Sequence, residues 1–393
     1  MPRAVKLVIS ALLVALIIGP ILIKLQSWRD EHLRMLPTIF PGNRNVVLPP
    51  SEPVRQHREP YIDDRYLFMK QLGEGMEGKA AVYTDTATGE QVVVKTYTAP
   101  ARDPLPSELE LAFAELTTTW PSEIEAETFL NTLLPANETG YVHMLDYFIL
   151  RSPSLDSSTS TPTPWSWAMV TPLMTSGTLQ NLATSRNLPT HSPAKLDQLF
   201  RPALNALLTS LLLLHEAGIC HNDIKPDNIF ISNTSPTHWL IGDLGNMRHT
   251  AHPWHATRTW RYRNQWADCQ LNDVRRALKS YIYFLRAASA DEAAFDTAFY
   301  AELEPWSRLY WQFVRWPGGV ERVVKVSQAL RPGHGGAGGG EGEGESDARR
   351  AWAVGRELTC TTLPRGMVTW WRLGGWWQRW RLEVPPQRAV VRV

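Results

Sequence analysis

The sequence predicts an α+β protein of two lobes, a small antiparallel β lobe with one helix and a larger, mainly helical lobe, behind an N-terminal membrane anchor helix. Three observations predict it. An almost unbroken apolar run, Leu7 to Ile23, opens the chain. From Tyr66, short β-branched segments separated by glycine turns lead into one amphipathic helix. Beyond Asp197 the apolar residues recur at helical spacing.

The chain has 393 residues and 44% hydrophobic content, enough for a substantial core. Forty basic residues against 39 acidic ones give a net charge of +1, which offers no electrostatic reason for a nucleic-acid partner. The three cysteines, Cys220, Cys269 and Cys360, are odd in number, widely spaced and match no zinc pattern. Neither a disulfide framework nor a structural metal site is expected from them.

At about 1.5 Å per residue the run 7–23 is just long enough for a thin bilayer. Arg3 and Lys6 before it balance Lys24 and Arg29 after it, so orientation stays open. A cleaved signal peptide is the competing reading. Gly19-Pro20 is followed by more apolar residues rather than a small-x-small site, which favours a retained anchor and a single-pass membrane protein. Residues 24–65 are charged and Pro-containing and read as a juxtamembrane spacer.

The globular domain is expected over 66–330. Gln71 to Tyr83 and Gln91 to Thr96 read as strands flanking the turn Thr88-Gly89-Glu90. Ser122 to Leu134 reads as a helix with Ile124, Phe129, Leu130 and Leu133 apolar. Residues 152–164 form a Ser/Thr/Pro-rich insertion before the apolar strand Trp167 to Leu173. Asp197 to Gly218 carries Leu199, Phe200, Leu204, Leu207, Leu208, Leu211, Leu212 and Leu214 and is expected to be a buried helix. Asp273 to Leu285 and the Trp-rich stretch 300–330 read as further helices. Residues 331–393, Gly/Glu-rich and then Trp/Arg-rich, show no coherent fold signal. They read as disordered, with a membrane-surface or partner-binding tail and a mispredicted exon as alternatives.

Four blocks carry chemistry. Gly73, Gly75 and Gly78 form a G-x-G-x-x-G run between strands, where missing side chains let the backbone approach phosphate oxygens. A strand follows it, not a helix, which argues against a dinucleotide fingerprint. The strand Val92-Val93-Val94-Lys95 takes an ammonium into apolar surroundings, where it needs an anionic partner unless it snorkels to water. His221-Asn222-Asp223-Ile224-Lys225-Pro226-Asp227-Asn228 sets a carboxylate, an ammonium and an amide within six positions, ahead of the apolar strand Ile229-Phe230-Ile231. Leu240-Ile241-Gly242-Asp243-Leu244-Gly245 is a second apolar strand ending in a carboxylate suited to Mg²⁺.

In this order the blocks resemble the eukaryotic protein kinase family, Ser/Thr type: a Gly-rich loop, a V-A-I-K strand, an H-R-D-L-K-P-x-N catalytic loop and D-F-G. The resemblance spans roughly 66–330 and implies a protein kinase-like fold that binds ATP and Mg²⁺ between its lobes. By resemblance, Lys95 holds the α and β phosphates, paired to Glu125, with Glu123 and Glu127 as alternatives on the same helix. Asp223 orients the substrate hydroxyl and accepts its proton, and Lys225 contacts the γ-phosphate. Asn228 and Asp243 hold the two metal ions. Thr171 or Val170 lies beside the adenine. His221, Leu244 and Phe129 pack in an apolar spine, and Asp273 ties down the catalytic loop.

The departures are specific. Asn222 stands where the family has Arg, a non-RD loop, which implies little dependence on activation-loop phosphorylation. Thr259 matches the family's Thr that bridges Asp223 and Lys225. Asn264-Gln265-Trp266 replaces Ala-Pro-Glu, and the chain after Asp273 is short for the family's helices. The resemblance therefore implies a protein Ser/Thr kinase, with a membrane-anchored pseudokinase scaffold and a small-molecule kinase as alternatives. ATP supply and free thiols place the domain on the cytosolic side. The sequons at Asn137 and Asn233 keep the lumen open.

Overall fold

The structure is a computed structural model that describes residues 16, 18–30, 33, 56–58, 65–74, 78–97, 121–133, 140–151, 165–185, 191–263 and 265–330. Gly75, the insertion 152–164, Asn137, Asn264 and the tail 331–393 lie outside the described residues.

The small lobe is built on strands β1 (Gln56–Arg58), β2 (Tyr66–Glu74), β3 (Gly78–Asp85), β4 (Gln91–Tyr97), β5 (Asp146–Arg151) and β6 (Trp165–Pro172), in spatial order β1-β5-β6-β4-β3-β2. All neighbours pair antiparallel except β1 with β5. The stretch from Gln71 to Tyr83 read as a strand is divided between two, β2 and β3, which pair antiparallel. Alternation does the sorting: Val92 and Val94 are buried with Phe148, Ala168 and Val170, which leaves Val93 and Lys95 on the opposite face. The β3–β4 turn is fixed by Asp85, whose carboxylate accepts from the Ala87 amide at 2.9 Å and pairs with Arg65 at 3.0 Å.

Helix α1 (Ser122–Leu133) buries Ile124, Ala126, Phe129 and Leu130, the last three in the larger core cluster, while Leu133 is exposed. Glu123 and Glu125 in its first turn complement the helix dipole.

The remainder is mostly helical, an α+β arrangement compatible with two lobes. Helix α2 (Leu179–Ala183) is followed by α3 (Pro193–Glu216), which starts at a Ser192 cap and buries Leu196, Phe200, Leu204, Leu207, Leu208, Leu211 and Leu214. Leu199, read as part of that face, is exposed. Gly218, at φ +73°, ends the helix and turns the chain into β7 (Ile219–Cys220). Strands β8 (Ile229–Ser232) and β9 (Ser235–Ile241) form a hairpin, and β10 (Arg248–His249) pairs with β7. Helices α4 (Arg258–Tyr262), α5 (Cys269–Ala287), α6 (Glu292–Tyr300), α7 (Pro305–Arg315) and α8 (Val320–Ala329) complete it. From the Trp-rich stretch 300–330, Trp306 enters the core and stacks with Phe295 and Phe299 of α6, its centroid 4.3 Å from that of Phe295.

Three expectations are corrected. The single-pass membrane anchor is overturned: among the described residues no helix is long and apolar enough to cross a membrane. The described helix over 18–30 runs from Ile18 through Lys24 and Arg29 to Asp30, and Asp30 is buried against the domain. That helix and β1 also put regular structure into the expected spacer. Finally, Cys220 and Cys269 are bonded to each other, with Cα atoms 5.9 Å apart. Odd number and wide spacing concealed the pair because β7 and the start of α5 meet only in three dimensions. The free-thiol argument for a cytosolic domain loses its premise at these two positions.

The cross-link closes a loop of 49 residues that contains the catalytic-loop block. Non-reducing peptide mapping should recover a Cys220–Cys269 peptide. Reduction, or Cys269→Ala, should lower stability by about 2–4 kcal/mol in thermal or denaturant unfolding.

Candidate active site

Register brings the distant blocks together. In the β8–β9 hairpin Ile229 faces Ile241, so the residues just outside it, Asn228 and Gly242, are neighbours, and the Gly242 amide donates to the Asn228 carbonyl at 3.0 Å. A Cβ on Gly242 would stand 2.6 Å from the Phe230 ring, so any other residue here would force that ring to move. Asp243 itself takes the left-handed conformation, φ 57°, which turns the chain out of the strand with its carboxylate one-third exposed. In β3–β4, Gly78 lies so close to the Thr96 carbonyl that no Cβ fits, whereas a Cβ on Gly73 would stand in open space.

Lys95 lies between the lobes. Its Nζ pairs with Glu123 Oε2 and stands 3.9 Å from Asp243 Oδ1. The partner preferred from sequence, Glu125, is displaced by Glu123. The two differ by about 200° around the helix, so only one can face β4. Glu125 turns instead toward Arg248, and burial pushes its carboxyl up to about 7 against the pull of that guanidinium. Glu127 is buried deeper, where its Oε2 accepts from the Met144 amide at 3.1 Å. Burial pushes Glu123 up as well, and Lys95 opposes this.

The catalytic-loop block is held from beneath by Asp273 of α5. Its carboxylate accepts from the His221 amide at 2.6 Å and the Asn222 amide at 2.8 Å, with His215 Nε2 at 3.4 Å. Burial raises the Asp273 carboxyl, but the His215 contact and neighbouring cations outweigh it and leave the group below its ordinary value. His221 is fully buried, with Nδ1 accepting from the Asp223 amide at 3.2 Å and Nε2 3.1 Å from the Gly242 carbonyl. In this arrangement Nδ1 accepts and Nε2 donates.

Above that base three donors converge on Asp223 Oδ2: Lys225 Nζ at 3.0 Å, Asn228 Nδ2 at 3.3 Å and Asn246 Nδ2 at 3.4 Å. Asn228 Nδ2 also donates to the Asp223 carbonyl at 3.0 Å, leaving the amide oxygen for a hard cation. An Asn oxygen and the Asp243 carboxylate are donors of the kind Mg²⁺ takes, and among the described residues no group of three or more His, Cys, Asp or Glu side chains is placed to hold a metal ion. Phe129 and Leu244 share one core cluster. Of the two adenine candidates on β6, Val170 is fully buried in the small-lobe core, and Thr171 shares the face of Met169, which pairs with Lys95.

The departures have structural counterparts. Asn222, at φ 66°, occupies a left-handed conformation that Asn tolerates better than Arg. Its Nδ2 donates to the Asn246 carbonyl at 3.1 Å, joining the catalytic loop to the segment after Asp243-Leu244-Gly245. Where Ala-Pro-Glu was missing, Trp266 exchanges hydrogen bonds with Asn272 at 2.9 and 2.8 Å, and the Arg275 guanidinium lies 4.7 Å over its ring. Thr259 does not bridge Asp223 and Lys225. Its amide and hydroxyl bind Asp30 Oδ2 at 2.9 and 2.7 Å. Sequence reasoning missed Asp30, Asn246 and Tyr97. Only Tyr97 had a local signal, being two residues beyond Lys95 on the same strand face.

Comparison with known proteins gives one short similarity. A stretch of 45 residues is 49% identical to the serine/threonine-protein kinase cds1 of Schizosaccharomyces pombe, covering 12% of this chain and 9% of that protein. No family model matches the chain. The similarity gives the chain kinase-like character over that stretch.

Asp273→Ala removes the acceptor of two buried amides and should cost about 3 kcal/mol or more in denaturant unfolding. Because the folded carboxyl sits below its ordinary 3.8, its contribution is fully present above that pH and is lost as pH falls through the folded value. The substitution should therefore flatten the acid limb of the stability profile.

Proposed function

We propose that this chain is an ATP-dependent phosphotransferase of the protein Ser/Thr kinase type, moving the γ-phosphoryl group of Mg-ATP onto Ser or Thr hydroxyls of a protein. The observation that carries the reading is Lys95 Nζ, which meets Glu123 while standing 3.9 Å from Asp243, residues remote in sequence. An ammonium oriented by one buried carboxylate and facing a second, more exposed one suits a metal-bound polyphosphate.

In this reading Lys95 binds the α and β phosphates, and the backbone of the Gly73–Gly78 run covers them. Asp223 orients the acceptor hydroxyl. The hydroxyl oxygen forms the new bond to the γ-phosphorus, the bond to the β–γ bridging oxygen breaks, ADP leaves, and the proton passes to Asp223. Lys225, 3.0 Å from Asp223, balances charge on the transferring group. Asn228 and Asp243 would hold Mg²⁺, which supplies charge neutralisation across the phosphates. Thr171, on the same face of β6 as Met169, would meet the adenine. Catalysis is then mainly positioning and preorganised charge.

A nucleotide-binding scaffold without transfer is the second reading. It is favoured by Asp30, which occupies the Thr259 hydroxyl that the family uses at the catalytic loop.

Purified protein incubated with radiolabelled ATP and Mg²⁺ should label itself or a generic basic protein. Asp223→Asn should reduce transfer by at least about 10³-fold while leaving Mg-ATP affinity within about twofold. Lys95→Met should weaken ATP binding and abolish labelling. Nucleotide binding with no labelling in the unsubstituted protein selects the scaffold, and unchanged turnover in Asp223→Asn removes Asp223 as the base.

A further inference from the structure

We propose that Tyr97 is a positioning residue for phosphate binding, its hydroxyl holding the Glu123 carboxylate and its ring facing the Lys95 ammonium so that the pair is set before nucleotide arrives. The proposal rests on the phosphotransferase reading and adds to it a residue that no part of the motif set contains.

Tyr97 ends β4, two residues after Lys95, so both side chains leave the same face of the sheet. The tyrosine is 5% exposed. Its hydroxyl donates to Glu123 Oε2 at 2.8 Å, the oxygen that also meets Lys95. The Lys95 Nζ lies 5.3 Å from the centre of its ring. One side chain therefore touches both members of the ion pair. A phenylalanine would fill the same space, and a hydroxyl at this depth is costly unless it is bonded. Met169 Sδ, 3.7 Å from the hydroxyl, is too weak an acceptor to account for it.

The arrangement answers a problem in the site. When phosphate binds, Lys95 must share its ammonium between Glu123 and the ligand. A buried carboxylate with a single donor would then be left undersatisfied, and rotation of Glu123 would carry Lys95 with it. A second, neutral donor keeps the carboxylate in place without competing for phosphate. The charged and titratable groups around Glu123 are Lys95 from β4, Asp243 after β9, and Glu127 one turn along α1. Burial and the Asp243 carboxylate favour the protonated form of Glu123, whereas Lys95 and the Tyr97 hydroxyl favour the ionised one. Removing the hydroxyl lets the carboxyl rise, so the pair is neutralised at a higher pH.

The test compares Mg-ATP binding and steady-state kinetics of the full chain with those of Tyr97→Phe, which keeps the ring. The dissociation constant and KM for ATP should rise about tenfold, the scale of one hydrogen bond to a charged group, with kcat changed by less than about twofold. The acid limb of ATP binding should move to higher pH. A merely structural tyrosine would lower Tm without moving that limb. Glu123→Gln tests the same link from the other side. It should weaken ATP binding itself, and adding Tyr97→Phe in that background should produce no further loss. Wild-type affinity and an unmoved acid limb in Tyr97→Phe, or a full additional loss in the Glu123→Gln background, overturns the proposal. An unsubstituted protein that binds no Mg-ATP overturns the phosphotransferase reading itself, a result distinct from either.

Discussion

A lysine ammonium and a glutamate carboxylate set inside a protein can be tolerated only together, because either charge alone would be desolvated without compensation. Lys95 is carried by β4 and Glu123 by α1, so their pairing fixes where the helix sits on the sheet. The first turn of that helix is fixed a second time: the Ser122 hydroxyl donates to the Gly245 carbonyl at 2.7 Å, and Arg248 reaches the same oxygen at 3.3 Å. The position of α1 thereby determines the segment that carries Asp243. Sheet, helix and metal-type loop form one closed circuit of contacts, and displacement of any member would expose an unpaired charge.

The lower half of the site depends on a second buried carboxylate. Asp273 has no exposed surface, and its two oxygens take the amides of His221 and Asn222. Those bonds hold Asn222 in its left-handed conformation, which carries the chain round so that Asp223, Lys225 and Asn228 rise on the same side. The disulfide from Cys220 to Cys269 joins the residue before His221 to the first turn of the helix bearing Asp273. Loop and helix are thus tied both covalently and by charge.

Much of this was legible from residue order. Alternation in Val92-Val93-Val94-Lys95 separates core from site, and the leucine spacing of α3 marks the helix on which the loop rests. Glu123 was not separable from Glu125, because helical periodicity restricts them to different faces without saying which face meets β4. The disulfide and the Asp30–Thr259 contact join positions 49 and 229 residues apart, and no local pattern encodes such a meeting.

The segment that follows Asp243 is connected at one end to the loop His221–Asn228. Asn222 makes that connection with an uncharged amide donating to the Asn246 carbonyl, and Asn246 in turn reaches Asp223 at 3.4 Å. At the far end of the same segment, Trp266 is held by Asn272 and by the face of its ring against Arg275, whose burial depresses the guanidinium to about 10. Neither contact needs a carboxylate or a modification. The segment between them is therefore secured at both ends by interactions present in the unmodified chain. Between those ends lies Thr259, held by Asp30 of the N-terminal helix.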